Sequence, residues 1–208
     1  MFKKIMLMAT MVAAVAAFVA PTAQATFANS NWAMGAGALT GMNGTIEGTG
    51  QLKFNATSGL GGVECHVVIH ANLTGSSSTG GIDKFTPSNC MTFGFLATVC
   101  GTNVNVTPTF ANPEVGWQVH AQKTEGTRRI LITEATIDNT FPEKSSNCPA
   151  HTINVEGPDA TNPVFATPNT PTNATSLILG GEVKTGVGVS KAEGTITLTS
   201  GSATYGIL

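Results

Sequence analysis

VECHVVIHANLTGSSSTGGIDKFTPSNCMTFGFLATVC, the stretch from Val63 to Cys100, holds three of the four cysteines of the chain and two of its four histidines. Its first nine residues alternate. Side chains along a strand point to opposite faces with a period of two, so Val63, Cys65, Val67, Ile69 and Ala71 share one face and Glu64, His66, Val68 and His70 the other. The first set is aliphatic apart from its cysteine and reads as the face a core buries. Glu64, His66 and His70 then form a trio on the outer face, which with His120 makes the candidate site. Four residues of strand span roughly 13 Å, too far for His66 and His70 to share one metal ion without help from His120 or His151 on a neighbouring strand. Surface histidines beside a carboxylate are the plainer reading.

After Asn72-Leu73-Thr74 comes GSSSTGG, Gly75 to Gly81, made of turn formers with no apolar anchor. No lysine follows its glycines and no helical period follows at all, which excludes a phosphate-binding loop. The segment reads as a flexible hairpin tip leading into Ile82 to Cys90. With the turn centred near Ser77-Ser78, facing residues have numbers summing to about 155, which sets Cys65 opposite Cys90 and leaves Cys100 for Cys148. Pro87 weighs against this register, because proline removes a ladder donor. The rival pairs Cys90 with Cys100 and Cys65 with Cys148, and sequence alone leaves all three connectivities open.

Upstream, Gln51 to Thr57 alternates with Leu52, Phe54 and Ala56 on one face, a half-buried strand. Thr26 to Gly50 is rich in glycine and reads as a loose first strand carrying Trp32 and Met34, followed by turns around Gly41 and Asn43-Gly44. If Trp32 packs, it anchors this arm; an exposed arm would be free to pair with another sheet edge. Residues 1–25 carry Lys3-Lys4, an apolar run from Ile5 to Ala20, Pro21 and a small-x-small site at Ala23-Gln24-Ala25, the pattern of a secretory signal peptide. The apolar run is shorter than the roughly 20 residues a spanning helix needs, so no membrane span is expected once the signal is removed.

Downstream, Thr102 to Thr109 alternates through Val104 and Val106. Gly116 to Lys123 puts Trp117, Val119 and Ala121 inward and Gln118, His120 and Gln122 outward, and a turn at Thr124 to Thr127 leads into RRILITEATI, Arg128 to Ile137, the strongest β run of the mature chain. Cys148-Pro149 lies in a loop before a short strand at Thr152 to Glu156. Residues 157–175, with Pro158, Pro163, Pro168 and Pro171, read as a long surface loop. A last β section begins at Ser176.

Only 11% of the residues are charged, 24 of the 208 are glycine, and helical periodicity is nearly absent after the signal. That composition indicates an all-β fold, an antiparallel β-sandwich or barrel held by two disulfides, in one domain spanning residues 26–208. Ten basic and twelve acidic residues become eight and twelve once Lys3 and Lys4 are removed, a net charge of −4. Nucleic-acid binding is excluded as a function, since Arg128-Arg129 is the only adjacent basic pair left. Four cysteines without C-x-x-C spacing indicate structural disulfides in an oxidising compartment, periplasmic or extracellular, and not a redox or zinc centre. No nucleophile elbow, zincin pair, EF-hand or dinucleotide fingerprint occurs, and the carboxylates are scattered; neither an enzymatic activity nor a cofactor is expected.

Gly61 to Cys65 (GGVEC), Phe85 to Cys90 (FTPSNC), Cys100 followed by the Val-Asn-Val strand, and Gly116-Trp117 resemble uncharacterised secreted Gly/Thr-rich β proteins of bacteria, a resemblance that covers the middle third of the chain. It implies a β-sandwich-like exported protein. The ending with Gly194, Ile196, Leu198 and Tyr205 is similar to that of fimbrial subunits, although four cysteines and the glycine-rich Thr26 to Gly50 depart from that pattern. The expected function is that of an exported structural or binding protein acting at the cell surface or outside the cell. The alternatives are a fibre or surface assembly formed by strand addition, with self-association or a surface polymer as partner, and a small-ligand binder or hydrolase using His66, His70 or His120.

Overall fold

The computed structural model describes residues 32–34, 37–38, 44–56, 61–75, 77–110, 114, 116–124, 127–143, 148, 150–154, 164–170, 173–185, 188–199 and 205–207; the signal-peptide reading of 1–25 lies outside them. The strands are β1 (Trp32–Met34), β2 (Gly37–Ala38), β3 (Gly44–Ala56), β4 (Gly62–Leu73), β5 (Thr79–Phe93), β6 (Asn105–Thr109), β7 (Trp117–Thr124) and β8 (Thr127–Thr133). They continue as β9 (Thr136–Thr140), β10 (His151–Asn154), β11 (Phe165–Pro168), β12 (Ser176–Gly180), β13 (Glu182–Thr185), β14 (Gly188–Leu198) and β15 (Tyr205–Ile207). One short helix, α1 (Phe95–Cys100), follows β5.

Pairing runs β12-β11-β8-β7-β5-β4-β3-β14, and β14 pairs back onto β12, so eight antiparallel strands close into a barrel. The remaining strands of that sheet lengthen its walls. β9 continues β8 beyond Glu134-Ala135, β13 continues β12 beyond Gly181, and β6 and β10 precede β7 and β11. β6 pairs with β9, β9 with β10, β10 with β13 and β13 with β14. Each wall therefore neighbours the walls before and after it in sequence, which is an up-and-down meander.

Alternation builds the two faces. Val63, Cys65, Val67, Ile69, Ala71 and Leu73 of β4 are buried, as are Trp117, Val119 and Ala121 of β7. The outer face carries Lys53, Glu64, His66, Lys84, Lys191 and Glu193. A bilayer-spanning barrel turns an apolar band outward; these walls have the opposite polarity. No helix among the described residues is long and apolar enough to cross a membrane.

Both disulfides of the leading sequence register are present, Cys65 with Cys90 and Cys100 with Cys148. Partners along β4 and β5 jump from Glu64↔Met91 to His66↔Ser88, so a bulge at Asn89 and Cys90 faces Cys65 and turns the second sulfur inward. Asn89 takes a φ of 50° there. Pro87 lies opposite Val67 without disturbing the ladder. A proline fits such a pair only in the non-hydrogen-bonded position, with its nitrogen turned to the other edge of the strand. On that other edge β5 pairs with β7 over Thr79 to Ile82 alone, and beyond it meets the β6 wall through a bridge of Met91 with Asn103 and the Thr92 N–H donating to the Thr102 carbonyl. Pro108 sits on β6, whose ladder with β9 lies on its far side. Pro87 and Pro108 thus flank a seam in the wall that neither can lace with a full set of donors.

Three sequence readings are corrected. Gly44, expected in a turn, begins a 13-residue strand, β3, while Gly41 and Asn43 lie outside the described residues. A Cβ at Gly50 would overlap the Thr195 carbonyl oxygen, so glycine here permits the close approach of β3 to β14 that curls the barrel shut. Within the loop expected over 157–175, Phe165–Pro168 is strand β11, hydrogen-bonded to both β8 and β12; prolines at 163 and 168 mask a strand only four residues long. The hairpin tip is fastened, with Ser77 N–H to Thr74 O at 3.2 Å and Ala121 N–H to Ser78 O at 2.6 Å.

Candidate functional site

The outer-face candidates lie where alternation puts them, and each is engaged by a neighbouring strand. Glu64 pairs with Lys53 of β3 at 3.2 Å. His66 Nε2 lies 3.1 Å from the Thr49 hydroxyl. His70 Nδ1 is 2.5 Å from one oxygen of Asp83, whose other oxygen accepts from the Asn72 amide at 2.8 Å. These are cross-strand pairs of the kind that stabilise any sheet. Asp83, at the second register shift between β4 and β5, was not singled out by the sequence, because a bulge that re-aims one side chain leaves no periodic mark.

His120 is not brought to this trio. It sits on β7 opposite Thr79 and Leu131, one strand beyond β5 and at the Thr79 end of that strand, whereas His70 faces Lys84 from β4 on the other side of it. Its surroundings are more apolar than its position suggests: Leu131 is buried although it faces away from the barrel interior, and Phe165 of β11 lies opposite Leu131 with the Arg129 guanidinium 4.2 Å above its ring. Burial lowers the His120 pKa below its ordinary 6.5, and the Glu134 carboxylate opposes that shift. Among the described residues no three His, Cys, Asp or Glu side chains gather in a way that could hold a metal ion. The His151 side chain lies outside the described set.

The barrel interior is concave as well. Inward side chains of the ring, among them Leu52, Phe54, Ile69, Phe85, Ile132 and Ile196, surround a cavity of about 70 Å³ whose walls are apolar throughout. Phe85, Trp117 and Phe110 pack together at tilted angles on the side nearest the seam, Trp117 lying 4.9 Å from Phe85 and 5.1 Å from Phe110 between ring centroids. On the inner face beyond Ile137, Asn139 is buried and its Oδ1 has no hydrogen-bond partner among the described residues.

Trp32 closes the opposite end. It belongs to the small sheet β15-β1-β2, which is separate from the ring. Its side chain is 1% exposed and lines the cavity, and its indole N–H donates to the Thr79 carbonyl at 2.9 Å. The sequence offered the signal, a lone tryptophan in a glycine-rich arm, but not its destination. Such walls can desolvate an apolar body; they offer no charge and no nucleophile.

Fold and site together define a disulfide-stapled, antiparallel meander barrel with an apolar interior and a polar exterior. No family model matches the chain, and neither a curated protein nor a solved structure matches it significantly.

Proposed function

We propose that the protein is exported and acts outside the cytoplasm as a binding protein, without catalysis, and that the interior of its barrel is the binding element. The observation that carries this reading is the wholly apolar cavity beneath a tryptophan contributed from outside the ring. Two disulfides suit an oxidising compartment and support export. The outer-face histidines and carboxylates have cross-strand partners and supply no catalytic grouping, which favours binding over hydrolysis. Purified mature protein should melt at higher temperature with increasing concentrations of straight-chain alcohols, since a ligand that binds only the folded state stabilises it by about 2.7 kcal/mol at a hundred times its Kd. A flat response across chain lengths, with no apolar compound extractable from protein purified without detergent, would sink the reading.

A second reading, self-association in a surface assembly, draws on the small sheet. Among the described residues its outer strands β15 and β2 each have one paired edge, whereas the ring is closed. Sedimentation at rising concentration tests it, and a single monomer boundary throughout excludes it.

A further inference from the structure

We infer that the seat of Trp32 is itself the ligand site, and that the natural ligand is an apolar ring or chain bearing one hydrogen-bond donor, which displaces the indole and takes over its bond to the Thr79 carbonyl. The inference rests on the barrel interior being the binding element and names what it accepts.

Size comes first. The cavity of about 70 Å³ is roughly half the 150 Å³ that admits benzene in an engineered apolar cavity, so with Trp32 in place it takes nothing as large as a ring. Space for a ligand appears only when a lining side chain leaves. Trp32 is the lining residue whose strand pairs with β15 and β2 and with no strand of the ring, so its departure breaks no rung of the barrel ladder. The other lining side chains stand on strands of the barrel walls, apart from Ala135 between β8 and β9 and Val164, whose carbonyl accepts from the Ile132 N–H, so their departure disturbs the walls themselves.

Chemistry comes second. Thr79 O accepts two hydrogen bonds, from the Trp32 indole at 2.9 Å and from the Thr74 N–H at 3.0 Å. Removing the indole leaves one lone pair of a part-buried carbonyl unpaired, a cost that a ligand without a donor must bear and one with a hydroxyl or N–H avoids. The remaining walls are apolar, so the rest of the ligand must be apolar as well. Such a ligand fills both the indole's place and the void behind it. It therefore buries more apolar surface than Trp32 does, and that surplus drives the exchange.

The test uses the full mature chain labelled with 5-fluorotryptophan, which has two tryptophans and hence two fluorine signals, assigned with Trp32→Phe. The probes are 1-naphthol and 1-methoxynaphthalene, matched in size and differing in the donor. Expected are a solvent-isotope shift at the Trp32 signal on adding naphthol, and affinity for naphthol about tenfold above that for the ether, the worth of one hydrogen bond. Trp32→Phe keeps an aromatic stopper without the N–H, and should bind naphthol about tenfold more tightly than the natural chain. Naphthol that stabilises the protein while Trp32 stays shielded, or equal affinity for both probes, overturns this inference and leaves the interior as a binding element reached another way. Absence of stabilisation by either probe and by the alcohol series removes both.

Discussion

His120 shows how a single side chain can report on a surface that alternation alone describes as polar. Its face of the barrel carries Leu131, buried, and Phe165 beneath Arg129, so the imidazolium there loses hydration that Glu134 only partly replaces. The folded-state pKa is thus below the unfolded value, and between the two the unfolded chain binds more protons than the folded one. Stability contributed by neutral His120 is complete above about pH 6.5 and is lost as pH falls toward the folded value, levelling off below it. Urea melts of the natural chain and His120→Gln should diverge as pH drops from 7 to 5, with the natural chain losing more. Glu134→Gln, which removes the opposing charge, should steepen the loss. Parallel curves for natural chain and His120→Gln would show that burial at this site does not act on the proton.

Elements differ in how plainly their residues announce them. The faces of β4 are legible from Val63 to Ala71, because one face is buried along its whole length and the period of two is unbroken; the strand itself runs on to Leu73. β3 was half legible: Leu52 and Phe54 show, but Gly48 and Gly50 occupy inward positions where β14 approaches too closely for a side chain, so the same requirement that closes the barrel erases the pattern. The seam was illegible, since Pro87 and Pro108 stand in different strands and mean something together only once β5 and β6 face each other. The disulfides also belong to this scale, and they do different work. Cys65–Cys90 spans a separation of 25 residues across two strands already laddered on either side of a bulge, while Cys100–Cys148 spans 48 and joins α1 to the loop before β10. Removing either should cost about 2 to 5 kcal/mol, and loop entropy alone makes the wider loop worth roughly 0.6 kcal/mol more. Denaturant titrations of the Cys65→Ser/Cys90→Ser and Cys100→Ser/Cys148→Ser pairs measure the difference. A larger loss from the first pair would mean that packing of the buried bridge outweighs chain entropy.

At the scale of the whole molecule, a closed barrel should unfold as one unit except where its hydrogen bonding is interrupted. Two such places follow from the pairing: the seam between β5 and β6, and the sheet of β1, β2 and β15, which is tied to the ring through the Trp32 indole rather than through a ladder. Local opening takes less free energy than global unfolding wherever few backbone bonds must break. Native-state hydrogen exchange should therefore place the amides bonded between β3, β4 and β14 at the global unfolding free energy, with the arm strands and the seam-facing amides of β5 exchanging faster. The arm is the decisive case. If the amides of Trp32 to Met34 that pair with Tyr205 to Ile207 exchange through an opening that barely depends on denaturant, the arm lifts while the barrel stays folded, and the space under the indole becomes reachable in the native protein. If they exchange only with β4, at its free energy and with its denaturant dependence, the arm is part of the barrel's single cooperative unit and Trp32 is a fixed core residue.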